Sequence, residues 1–133
     1  MRYKAAIVMT SVLAGLSIYS VSSLTAETLD DYFNRGVSEI NEGKLTEAIS
    51  DFIKVIDIDP KNATAYYNRG LAYGKQGKWA EAISDYTKSI DLDPKDTSIY
   101  RMRGSFYYSQ GKYAEAISDY TKAILLQPRL RLF

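Results

Sequence analysis

The chain has 133 residues, a single-domain length, with 17 basic and 16 acidic side chains and neither Cys nor His. The missing Cys and His exclude disulfides, thiolate chemistry, zinc sites built on those ligands, His general bases and nucleophile–His triads. The balanced charge gives no electrostatic reason to seek nucleic acid or an anionic membrane surface, so the composition points to a binding protein rather than an enzyme.

Met1-Arg2-Tyr3-Lys4 is a short basic start, followed by an apolar stretch at residues 5–21 and a polar SSLTA segment. That order reads as a signal peptide over residues 1–26. Leu24-Thr25-Ala26 supplies the first cleavage site and Val21-Ser22-Ser23 a second. The alternative is an uncleaved N-terminal anchor. A spanning helix needs roughly 20 apolar residues, whereas Thr10, Ser11, Ser17 and Ser20 interrupt this stretch. The protein is therefore expected to be exported, and to meet a membrane only if this segment stays attached. Without residues 1–26, 15 basic and 16 acidic side chains remain, a net of −1.

After Ala26 the apolar residues recur at helical spacing, as in Tyr66 and Tyr73, then Ala82, Ile83, Tyr86 and Ile90. The spacing predicts helices over residues 29–42, 45–58, 63–76, 79–92, 97–110 and 113–126. Gly43, Gly77 and Gly111 fall between paired helices, where a left-handed residue ends the first. Pro94 stops a second helix, and Asp96 or Thr97 can cap the next. Gly70, inside a predicted helix, costs about 1 kcal/mol relative to Ala; its recurrence implies a close approach of the second helix near Ala82.

Four markers recur every 34 residues: Gly36, Gly70 and Gly104; Gly43, Gly77 and Gly111; Ala48, Ala82 and Ala116; Pro60, Pro94 and Pro128. Residues 63–96 and 97–130 agree at 19 of 34 positions. This period with small residues, aromatics and a closing Pro means an array of helical hairpins. The second unit, YYNRGLAYGKQGKWAEAISDYTKSIDLDP, resembles the tetratricopeptide repeat. The resemblance implies an all-α, right-handed helical-hairpin solenoid of six helices. Its repeats are 29–62, 63–96 and 97–130, with a short tail at 131–133 and no capping helix. Ile117 and Ile124 are then expected to stay partly exposed. The first unit is the most divergent, with Glu39 where the others have Tyr73 and Tyr107. Export and this resemblance together suggest a bacterial periplasm, or secretion.

In this family positions 2, 5, 6, 9 and 12 of each unit line a concave groove. Here these are Asp30, Phe33, Asn34, Val37 and Ile40; Thr64, Tyr67, Asn68, Leu71 and Gly74; and Ser98, Arg101, Met102, Ser105 and Tyr108. The expected peptide-binding residues are Phe33, Asn34, Val37, Tyr67, Asn68, Leu71, Arg101, Met102 and Tyr108. The mix suits an extended or helical peptide with apolar side chains. Asn34 and Asn68 either hold a ligand's backbone or bond to water or a neighbouring helix. Relatives that clamp acidic chaperone tails need Lys or Arg and Asn where this chain has Phe33, Val37, Ser98 and Met102; only Asn68 matches.

Arg35, Arg69 and Arg103 repeat at position 7, and Asp51, Asp85 and Asp119 at position 23. They are expected to pair within each hairpin as exposed salt bridges worth ~0–1 kcal/mol, setting register more than stability. Asp57/Asp59 and Asp91/Asp93 resemble calcium ligands, but the sixth and twelfth positions from Asp91 are Asp96 and Met102, not Gly and Glu. They read as solvated helix ends, and no metal or cofactor is expected. Charge runs from −4 in unit one to +3 in unit three, a gradient suited to head-to-tail self-association. The expected function is a non-catalytic protein–protein interaction module. The alternative is a structural protein that docks or self-associates through its C-terminal end.

Overall fold

The computed structural model describes residues 25–128; the export segment at 1–24 and the tail from 129 lie outside them. Six helices follow: α1 (Leu29–Glu42), α2 (Leu45–Ile58), α3 (Ala63–Lys75), α4 (Trp79–Leu92), α5 (Thr97–Ser109) and α6 (Tyr113–Leu126). Four match the expected bounds. The other two, α3 and α5, stop one residue early because Gln76 and Gln110 act as their C-caps.

Local chemistry sets the ends. Thr28 and Asp31 form a capping box: the Asp31 N–H donates to Thr28 Oγ1 (3.2 Å) and the Thr28 N–H to Asp31 Oδ2 (2.8 Å). Asn62 Oδ1 accepts from the Ala65 N–H at the start of α3, and Asp96 Oδ1 from the Ser98 N–H at the start of α5. Asp96, not Thr97, is thus the cap. Gly43, Gly77 and Gly111 all have φ near +77° (78°, 77° and 75°), the left-handed turn that joins each hairpin.

Helices pack mainly against their neighbours in the chain, with α1 also touching α3. The core is two clusters, one at each junction between hairpins. The first holds Ile40, Ala48, Ile49, Phe52, Val55, Ala65 and Ala72. The second holds Ala82, Tyr86, Ile90, Ile99, Tyr100 and Ala123. Each cluster joins residues of two successive hairpins, so a repeat is stabilised in part by its neighbour. The expected close approach is present: a Cβ on Gly70 would lie 3.1 Å from Tyr86 Cε1 and 3.2 Å from the Ala82 carbonyl.

Candidate functional site: the first-helix face

Each expected site residue sits on a first helix, α1, α3 or α5. Phe33 is half-buried and meets Phe52 edge-on, with ring centroids 5.7 Å apart. Val37 and Leu71 pack on the first cluster; Tyr67 and Met102 pack on the second. Asn34 and Arg101 are exposed. The result is a band of half-buried apolar side chains crossed by polar groups, with a spacing that follows the stacking of the hairpins.

Tyr67 is where units two and three converge. Its ring lies 5.7 Å from that of Tyr86, which in turn stacks on Phe106 at 5.4 Å. Burial pushes the Tyr67 phenol above its usual range; Asp96 adds to this and Arg101 opposes it. Asp96, at the end of the same unit, and Arg101, from unit three, both act on the Tyr67 phenol through their charges. A cavity of about 40 Å³ beside it is lined by Thr64, Tyr67, Ser89, Asp93, Asp96 and Ile99 among others. Asp96 is an addition to the expected group, since its repeat position marks it only as a cap.

Asn68 Nδ2 donates to the Thr64 carbonyl at 3.0 Å, one turn back in its own helix. That bond is neither to a neighbouring helix nor to water, and it leaves an amide with one further donor and an acceptor.

Position 12 requires a correction. Ile40 is buried in the first cluster, and Gly74 is covered by Phe106, whose Cζ would lie 2.4 Å from an added Cβ. These positions are junction sites beneath the following helix. Tyr108 is exposed because no described helix follows, and it contacts Tyr113 of α6 (centroids 5.3 Å apart) at the end of the solenoid.

The Arg–Asp pairs form as expected, but not as exposed bridges. Asp51, Asp85 and Asp119 are all buried, and each accepts two bonds from its arginine. Arg69 also lies over the Tyr66 and Tyr73 rings, and Arg103 over Tyr100 and Tyr107. Arg69, Tyr73 and Asp85 line an open cleft of about 340 Å³, on the side of α3 opposite Tyr67 and Leu71. Asp85 pairs with Arg69, so this cleft offers a phosphate no unpaired charge from that arginine. Asp59 Oδ1 accepts from the Lys61 N–H and Asp93 Oδ1 from the Lys95 N–H, which makes these carboxylates helix-end turn formers.

Unit one lacks the second tyrosine. Glu39 stands there with Oε2 buried and without a hydrogen-bond partner. Burial, followed by the charge of Asp51, raises its pKa above the ordinary 4.5, against the pull of Arg35 and Lys44. A raised folded pKa penalises the ionised form, so the penalty stands at neutral pH and disappears below the unfolded value. Glu39→Gln is expected to stabilise the chain at neutral pH, because the amide keeps the shape and cannot ionise. That advantage should shrink as pH falls through the raised pKa and vanish near 4.5. Thermal melts of both proteins across this range check it. The difference between them is the quantity to read, because Glu27, Asp31 and Glu42 have lowered pKa values, set chiefly by Arg35, the Thr28 N–H and Lys44, and slope the other way.

Comparison with known proteins agrees with this architecture. The family described as tetratricopeptide repeat matches residues 63–96 and 98–130, and that described as TPR repeat matches 36–77. No curated protein matches the chain in sequence. Among solved structures, the second TPR of Spaghetti (RPAP3) bound to the HSP90 peptide SRMEEVD is 33% identical, with TM-score 0.72, covering 76% of this chain and 94% of that one. The first TPR of the same protein, with the same peptide, is 31% identical, also with TM-score 0.72, over 77% and 81%. A crystal structure of MamA is 26% identical, with TM-score 0.75, over 81% of this chain; the match spans 63% of the MamA chain.

Proposed function

The chain belongs to the tetratricopeptide-repeat family, and from that premise we propose that it is an exported, non-catalytic protein–protein interaction module. It holds a peptide segment of a partner on the first-helix face. The observation that carries this reading is the band of Phe33, Val37, Tyr67, Leu71 and Met102, half-buried on three successive first helices. Such side chains offer apolar area already fixed by the core beneath, so little conformational entropy is lost on binding. Asn34, Asn68 and Arg101 supply the polar contacts between them. The peptide-bound neighbours support a peptide ligand of some kind.

The ligand is not an acidic chaperone tail. Phe33, Val37, Ser98 and Met102 replace the cations and the amide that would grip two carboxylates, leaving Arg101 as the one cation among the proposed groove residues. An apolar segment with at most one acidic group near unit three fits this surface. Selection from a displayed peptide library should return such segments and not SRMEEVD. Tyr67→Ala/Asn68→Ala should weaken the selected peptide at least tenfold, about 1.4 kcal/mol, with helicity unchanged. Unaltered affinity would remove the groove reading. Export rests on residues 1–26 and is tested separately, by whether the mature protein begins at Glu27 or, with the second cleavage site, at Leu24.

A further inference from the structure

Phe52, Tyr86 and Tyr120 share repeat position 24. Each crosses the glycine at position 8 of its own hairpin: a Cβ on Gly36, Gly70 or Gly104 would meet the ring at 2.9, 3.1 and 3.1 Å. Phe52 and Tyr86 are both fully buried, and Phe52 shows that this place in the packing needs no hydroxyl. Tyr86 carries one all the same, and its Oη is buried without a hydrogen-bond partner among the described residues. A buried donor left unmade costs free energy that a phenyl ring would not, so packing alone does not account for it.

The neighbours of the ring place that hydroxyl. Tyr86 leaves α4 and passes Gly70 with Tyr67 of α3 beside it, centroids 5.7 Å apart, and Phe106 of α5 stacked on it at 5.4 Å. Tyr67 and Met102, two of the groove residues, pack on the same cluster. The Oη, at the far end of a ring that starts on a second helix, therefore lies between two first helices, beneath the band where units two and three meet. Tyr67 is its half-buried cover, and the cavity of about 40 Å³ leaves part of the Tyr67 side chain unpacked. Burial, followed by the neighbouring Tyr67 and Asp85, pushes the Tyr86 phenol well above its usual range, so at neutral pH it is a donor.

We propose that Tyr86 is a hidden specificity residue of the peptide site, donating to the carboxamide oxygen of an Asn or Gln in the bound segment once Tyr67 tips aside; this rests on the groove reading above. A main-chain oxygen stays on the surface of the band, whereas a side chain can pass between Tyr67 and Met102 to a fully buried hydroxyl. A carboxylate would be stripped of water near the buried Asp85, at a cost that the like charge increases. A carboxamide oxygen accepts without bringing a charge, and its amino group turns toward the Tyr67 hydroxyl and the open groove. Since the Tyr86 hydroxyl is already dehydrated in the free chain, the bond forms without taking water from the donor. The ligand is then an apolar segment with one Asn or Gln opposite the junction of units two and three.

Tyr86→Phe in the full chain repeats what unit one already has at this position, so circular dichroism should be unchanged and the melting temperature equal or higher. Affinity for a library-selected peptide should fall about tenfold. The selected peptides should share an Asn or Gln. Replacing it by Leu should weaken the native chain by a similar factor and leave the Tyr86→Phe chain indifferent, a coupling that a double-mutant cycle reads. A Tyr86→Phe chain that binds like the native one, when Tyr67→Ala/Asn68→Ala does not, leaves the groove in place and overturns the proposal. So does a melting temperature that falls in step with affinity, which would make the hydroxyl part of the fold, or a selected set without a carboxamide. If none of these substitutions alters affinity, the peptide is held elsewhere and the groove reading falls as well.

Discussion

Arg69→Met is expected to cost about 3 kcal/mol, because it leaves the buried Asp85 carboxylate without its counter-ion. For a domain of roughly 100 residues this lowers the melting temperature by about 15 °C. Arg69 Nε and Nη2 both donate to Asp85 at 2.8 Å, and the side chains are 20% and 7% exposed. The Tyr66 and Tyr73 rings, 5.6 and 5.9 Å from the guanidinium carbon, hold the fork in place. Asp85→Ala should cost less, about 2 kcal/mol, since the longer arginine can still reach water. Removing both should be milder than Arg69→Met alone, because no carboxylate is then stranded. Thermal melts of the three variants decide this. A double variant as unstable as the sum of the singles would mean that the pair is no more than two independent contacts.

The same pair shows how far the sequence could be read. Its partners were legible, since Arg and Asp recur with one period and sixteen residues separate them in every unit. Its depth was not. Burial of Asp85 depends on Gly70, which lets α4 approach, and on two tyrosine rings; these contacts arise between helices, whereas periodicity reports positions along them. Helix bounds and glycine turns were legible because each is decided within a few residues, whereas the α5 cap was narrowed only to Asp96 or Thr97. That Phe33, Val37, Tyr67, Leu71 and Met102 form one half-buried band follows from positions 5, 6 and 9 sharing one side of each first helix. Position 12 was misplaced because its cover comes from the following unit. That dependence also explains why Tyr108, equivalent to Ile40 and Gly74 in sequence, ends up on the exposed end of the array.

Gly74→Ala is expected to destabilise the chain by about 2 kcal/mol, although Ala is the better helix former by about 1 kcal/mol. The added methyl would meet Phe106 Cζ at 2.4 Å, and the ring has no easy retreat. It stacks on Tyr86 with centroids 5.4 Å apart and leans on Trp79 at 5.2 Å, so moving it disturbs both; overpacking of this kind costs about 1–3 kcal/mol. The junctions explain why glycine stands here. At the first, a large Ile40 shares a cluster with a small Ala72. At the second, the sizes are exchanged, and a large Phe106 sits on Gly74. Complementary volume, not residue identity, is what stacks one hairpin on the next. Gly74→Ala/Phe106→Leu should therefore recover much of the loss, and a double-mutant cycle measures the coupling. Hydrogen exchange should show unit three opening on its own in the single variant, because the weakened junction is what joins it to unit two. Tyr67 and Arg101 lie on opposite sides of this junction, so peptide affinity should fall with it; a Gly74→Ala protein of unchanged stability would show that Phe106 has room to move, and that the junction is looser than its ring contacts imply.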